Sequence, residues 1–410
     1  MVLSVGRQSD RPLFEELPKL GVVMLRSLVI VSLFLNAVAL VSRVDAKEIR
    51  VSNDLELARA LAEAGPGDSV LLAPGRYKGG VSRSGLKGTK EARILIAGTD
   101  PERRPTIVGG GSGLHLRSPA YAELRDLIFE GASGNGLNID DGGNGETAAR
   151  DLRLVNLAIR DIGPKGNSDG LKLSGVERFH IENCQVEKWG DSGSAIDMVG
   201  CHDGVVEGCH FRDARGRQAN AVQAKGGSRE ITIRGCKFVQ CGGRGVNAGG
   251  STGADYFRPK NAPYEAKQIT IEDCTFIGGD AAMAFVGVDG ATARHNTIYC
   301  PGKWAIRILQ ENQDAKLARC GNVTLENNLF VFRASEVSTA INIGPHTAAE
   351  TFTFSHNVWS CVDRPQDTLR LVKLPSGEKE GVYDAKIEFK SAEKEDLTLL
   401  HPVPNQAGAR

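Results

Sequence analysis

Nine segments of this chain follow one template, and that repetition limits what it can fold into more than any other feature. AELRDLIF (from Ala122), LRLVNLAI (Leu152), FHIENCQV (Phe179), GVVEGCHF (Gly204), ITIRGCKF (Ile231), ITIEDCTF (Ile269), ATARHNTI (Ala291), VTLENNLF (Val323) and FTFSHNVW (Phe352) alternate apolar and polar residues, pass a turn residue and end in an apolar pair. A second template falls between them: NGLNI (Asn135), DGLKL (Asp169), SAIDM (Ser194), NAVQA (Asn220), RGVNA (Arg244), AAMAF (Ala281), WAIRI (Trp304) and TAINI (Thr339). Alternation with period two marks half-buried strands. Their combined spacing of roughly 22 to 38 residues is that of a solenoid.

Two or three short strands per turn, with no helical pattern between them, predict an all-β fold: a right-handed parallel β-helix. Coils of such a fold stack at about the 4.8 Å strand spacing, so like residues form columns. The sixth position of the first template runs Leu127, Leu157, Cys184, Cys209, Cys236, Cys274, Asn296, Asn328, Asn357. Inward cysteines act as small buried hydrophobes and stacked asparagines ladder their amides. Four of the nine cysteines are therefore expected in a ladder, not in disulfides or a metal site. Cys300 and Cys320 flank a loop and are candidates for a bridge; Cys201, Cys241 and Cys361 receive no assignment.

Solenoid ends need caps. NDLELARALAEA (Asn53 to Ala64) predicts a capping helix, with Asn53 and Glu56 as a capping box and Leu55, Ala58, Leu61 and Ala62 as its apolar face. The β-helix is expected over 47–364, closed by irregular strands within 365–410. Composition agrees: 49 glycines and 6% aromatic residues suit short strands and tight turns. Lys and Arg total 50, as do Asp and Glu, so no overall field attracts nucleic acid or an anionic membrane, and any polyanion site is local. The apolar run Leu28 to Val41, preceded by Arg26 and followed by Val44-Asp45-Ala46, predicts a signal peptide over 1–46 and a secreted or periplasmic monomer. Asp10, Glu15 and Glu16 suit a signal poorly, which makes Met24 a candidate start.

The stretch LARALAEAGPGDSVLLAPGRY (Leu57 to Tyr77) resembles the cap helix and first coil of secreted β-helix proteins, especially the alginate lyase and chondroitinase B family, polysaccharide lyase family six. DLTLLHPVPNQAGA (Asp396 to Ala409) resembles their closing segment. The resemblance implies a catalytic lysine after a strand of acidic calcium ligands, and an arginine on the next coil. Lys225, after NAVQA, stands where that lysine would be, but Asn220 and Gln223 replace the acidic residues. The arginine position falls near Gly249, and Arg244 is its nearest candidate. NSDGLKLSG (Asn167 to Gly175) is similar to family nine pectate lyases, which implies Asp169, Asp191 and Asp197 as calcium ligands and Lys172 as a base. NSDG and Arg307-Ile308-Leu309 also resemble polygalacturonase motifs, whose paired Asp and Gly-His-Gly are absent. A hydrolase without a second carboxylate lacks its acid or its base.

The outward positions of the second template are Asn138, Lys172, Asp197, Gln223, Asn247, Ala284, Arg307 and Asn342, a polar floor that an extended chain can cross. Lytic cleavage of a uronate polymer removes the proton beside the sugar carboxylate and expels the glycosidic oxygen. Lys225, Arg307, Arg244 and Lys172 are the catalytic candidates, and Gln223 and Asn247 are hydrogen-bonding groups for the carboxylate. Trp304 beside Arg307 suits a sugar ring and its acid group, while Tyr256 and Arg258 lie in an insertion, Ser251 to Lys267, expected to wall the groove. His202 and His295 are read as structural. The expected partner is an acidic polysaccharide. Three functions remain open: a lyase, a glycan-binding surface protein without chemistry, and a polygalacturonase-like hydrolase.

Overall fold

The computed structural model describes residues 46–143, 147–383 and 385–410; the expected signal peptide lies outside the described residues apart from Ala46. Each full coil gives one strand to each of three sheets, of 13, 10 and 11 strands, and every pairing in them is parallel and in sequence order. This is the β-helix that the repeats predict. The first template supplies the 13-stranded first sheet and, past its turn residue, the 11-stranded third sheet; the second template supplies the 10-stranded second sheet. One apolar core runs along the axis from Val51 to Val372. Phe211, Phe238 and Phe276 stack through it at 5.0 and 4.5 Å between ring centroids. No helix among the described residues is long and apolar enough to cross a membrane.

The template's turn residue has a physical cause. Asp126, Asn156, Asn183, Asp273, His295, Asn327 and His356 all have φ between 51 and 56°, where the chain bends from the first sheet into the third. Asn and Asp tolerate that left-handed region best among residues with a side chain. The residue after each bend faces inward, which builds the predicted ladder. Each thiol donates to a carbonyl of the preceding coil: Cys184 Sγ to Leu154 O, Cys209 to Ile181 O, Cys236 to Val206 O and Cys274 to Ile233 O, at 3.5–3.7 Å. The asparagines repeat that geometry more strongly, with Nδ2 of Asn296, Asn328 and Asn357 donating at 2.9 Å to Ile271, Ala293 and Leu325. Their amides also link in series, Asn296 to Asn328 and Asn328 to Asn357 at 2.9 Å, and the series ends on Glu378 Oε1 at 2.8 Å.

All nine cysteines are free. The Cys300–Cys320 bridge does not form, because Cys320 turns into the core and donates to Phe285 O at 3.3 Å while Cys300 stays half-buried. The cap helix, α1 (Asp54–Glu63), forms where expected, with Glu56 N donating to Asn53 Oδ1 at 3.0 Å. Its carboxylate reaches Ser52 N at 2.7 Å instead of Asn53 N. The buried face is Leu57, Ala60, Leu61 and Ala64, and Leu55 is 84% exposed. Two phases with near-identical spacing compete in this short helix and share Leu61; the one carrying Leu57 places two leucines on the coil, one turn apart. The closing segment forms short strands. Phe389–Ser391 and Asp396–Leu399 form an antiparallel pair, and their neighbours Ile387 and Val403 pack with them on Leu329, Val331 and Val358, along the outside of the third sheet.

Candidate active site

Six strands of the second sheet carry the site: β1 (Leu171–Ser174), β2 (Ser194–Val199), β3 (Asn220–Lys225), β4 (Arg244–Gly249), β5 (Ala281–Val286) and β6 (Trp304–Leu309). Their register stacks Lys172, Asp197, Gln223, Asn247, Ala284 and Arg307 in one column, with Asn138 before and Asn342 after. Lys225 lies two residues along β3, opposite Val199. Over β3 to β6 opens a cleft of about 550 Å³. Five cations line it, Arg217, Lys225, Arg244, Lys303 and Arg307, against the carboxylates of Asp280 and Glu311.

Lys225 is the ammonium on the cleft floor. Its Nζ lies 3.3 Å from Gln223 Oε1 and 3.4 Å from Asp197 Oδ1, a carboxylate with no exposed surface to speak of. Gln223 is held in turn by Ser194 Oγ, which donates to its Oε1 at 3.3 Å, and its Nε2 donates to Gly249 O at 3.4 Å. The other Asp197 oxygen takes a hydrogen bond from Lys172, whose Nζ is 3.5 Å from Asp169 Oδ2. Asp169 Oδ1 accepts from Ser194 N at 2.8 Å. Burial, with the Asp197 charge adding to it, pushes the Asp169 carboxyl up to about 7. Burial works to lower the Lys172 pKa, but the Asp197 and Asp169 carboxylates outweigh it and raise it.

The arginines form the opposite wall. Arg244 donates from Nη1 to Asn247 Oδ1 at 3.0 Å and from Nη2 to Glu311 Oε1 at 2.5 Å. Arg307 donates to Asn342 Oδ1 at 3.2 Å, and its guanidinium lies 4.4 Å from the Trp304 ring centroid. Burial, then the nearby Arg244 charge, lowers the Arg307 pKa. Two guanidiniums that disfavour each other attract an anion between them.

The structure thus brings Lys225, Arg244, Arg307, Gln223 and Trp304 together around one cleft. Asn247 is buried and acts behind Arg244. Lys172 lies outside that lining, engaged with Asp197. Two assignments are corrected. Arg258 turns away from the cleft: its Nε donates to the buried Asp141 at 2.8 Å, and with His202, whose Nε2 meets Arg258 O at 3.1 Å, it pins the insertion to the coil corner. Tyr256 is 67% exposed and does not line the cleft. The insertion is tied at its other end by Glu265, fully buried, which accepts from Gly226 N, Thr252 N, Thr252 Oγ1 and Asn312 Nδ2 at 2.7–3.0 Å.

The calcium expectation meets a chemical mismatch. Calcium takes about six to eight oxygens. Here two buried carboxylates face a lysine, and Asp191 Oδ1 accepts from Gly166 N at 2.7 Å in a surface turn. Among the described residues no three His, Cys, Asp or Glu groups gather as a metal set. These residues do not fit a calcium site. Asp280 and Glu311 are each engaged by an arginine, Arg217 and Arg244.

Sequence reasoning missed Arg217, Asp280, Lys303 and Glu311. The first three lie in turns outside the strand templates, and Glu311 opens a second insertion between β6 and the next strand at Gly321. The stretch LQENQDAKLARC, which breaks the repeat after Ile308, is the signal that was available.

A family model described as right handed beta helix region matches residues 103–262. No curated protein matches the chain. Among solved structures, an alginate lyase from Paenibacillus sp. is 18% identical, covering 73% of this chain and 98% of its own, with a TM-score of 0.49. A family six polysaccharide lyase from Pseudopedobacter saltans is 13% identical over 88% and 99%, at 0.46. A pectate lyase is 14% identical over 75% and 80%, at 0.44.

Proposed function

We propose that this right-handed parallel β-helix protein is a polysaccharide lyase that cleaves an acidic, uronate-containing polymer by β-elimination in the cleft over β3 to β6. The observation that carries the reading is Lys225 on the floor of a cleft with five cations and two carboxylates. An open trough of that charge on a sheet face fits an extended polyanion. Arg244 and Arg307 take the sugar carboxylate, which acidifies the neighbouring C–H. Lys225 transfers the proton, and Trp304 offers a face to a sugar ring. Export, expected from Leu28 to Val41, would bring the protein to such polymers.

One observation favours a second reading, a glycan-binding protein without chemistry. Lys225 Nζ lies 3.4 Å from the buried Asp197 carboxylate, an ion pair that gives this lysine a structural role without chemistry. An ultraviolet absorbance assay against alginate, pectate and glycosaminoglycans separates the two, because elimination leaves an unsaturated uronate that absorbs. Absorbance growth with one polymer supports the lyase; retained binding with no growth across the panel supports the binding protein.

A further inference from the structure

We infer that the Lys172 ammonium is a built-in substitute for a divalent cation, closing the charge balance beneath the cleft so that no metal ion is needed there. Asp169 and Asp197 lie on adjacent coils, with side chains 2% and 1% exposed. Two carboxylates this deep on adjacent coils either hold a proton or are balanced by a cation between them. Lys172 provides it: Nζ bonds Asp197 Oδ2 and stands 3.5 Å from Asp169 Oδ2. Lys225 meets the remaining Asp197 oxygen at 3.4 Å, an atom that is buried and has no hydrogen-bond donor. Two lysines therefore already flank the pair, and a calcium ion added to the set would leave buried positive charge in surplus. Lys172 acts on the cleft through Asp197, which makes it a positioning residue for Lys225.

The inference predicts opposite calcium responses for two proteins. The wild-type unfolding temperature stays within about 1 °C between chelator and millimolar calcium at matched ionic strength. Lys172→Ala leaves both carboxylates facing a vacated space, with the Ser194 hydroxyl and Asn138 on the flanking strands. Its unfolding temperature falls by roughly 5–10 °C in chelator, and calcium restores at least half of the loss. Lys172→Arg, which keeps the charge, remains indifferent to calcium, and Asp169→Asn added to Lys172→Ala removes the rescue. A folded Lys172→Ala that does not respond to calcium overturns the inference. So does calcium stabilisation of the wild type that Asp197→Asn abolishes. Where Lys172→Ala fails to fold with and without calcium, that wild-type titration decides: stabilisation overturns the inference and its absence upholds it. None of these readouts uses turnover, so they stand apart from the outcome of the lyase assay.

Discussion

Two columns of stacked side chains run the length of this molecule, one residue per coil in each, and they are composed in opposite ways. The inner corner column changes in blocks, from leucine to cysteine to asparagine, and each asparagine amide donates to the next until Asn357 donates to Glu378. The outer column on the second sheet changes at every step, from Asn138 through Lys172, Asp197, Gln223, Asn247 and Ala284 to Arg307 and Asn342. A column that serves only stacking keeps repeating whatever stacks well. A column that varies between neighbours sharing one backbone geometry is shaped by something other than stacking. The cleft lies over the part of that column from Gln223 to Arg307.

Breaking the inner column and the cleft face that carries the outer one should have separable effects, and the largest belongs to Lys225, two residues along β3 from Gln223. Lys225→Ala should lower turnover by at least about 10³-fold, to the blank of an absorbance assay, as expected on loss of a proton-transfer group, while circular dichroism stays unchanged. Arg307→Ala should cost about 10²-fold in kcat/KM through loss of a charge on the sugar carboxylate, measured by steady-state kinetics across substrate concentrations. The inner column should respond in the other currency. Asn328→Ala strands the Asn296 amide, whose backbone N and Nδ2 both donate to Asn328 Oδ1. That change should cost about 3 kcal/mol in a denaturant titration and leave kcat untouched. Cys236→Ala, which removes one sulfur and a weak S–H bond, should cost about 1 kcal/mol in the same titration, again with unchanged turnover.

The periodic part of the molecule was legible in the sequence because period two and the coil spacing dictate it. The outer column, the inner ladder and the positions of Lys225 and Arg307 on one face all follow from alternation alone. Phase in a short helix does not, and Leu57 displaced Leu55 because both fit a 3.6-residue stripe. Side chains on insertions were the least legible. Arg258 reaches back to Asp141 and Tyr256 points to solvent. Arg217, Asp280 and Lys303, which sequence left unremarked, enter the cleft from turns, and Glu311 enters it from the second insertion. No repeat fixes where a turn residue points. Lys172 shows a different gap: motif likeness read it as a base with Asp169, Asp191 and Asp197 as calcium ligands, whereas the buried geometry joins Lys172, Asp169 and Asp197 in one ion cluster and leaves Asp191 in a surface turn.

The most direct test of the account is ultraviolet absorbance during incubation with a panel of acidic polysaccharides, run on the wild type and Lys225→Ala side by side. The account predicts absorbance growth with at least one uronate polymer for the wild type, and none above the blank for the folded variant. Turnover that survives in Lys225→Ala, or a silent wild type across the whole panel, would contradict it.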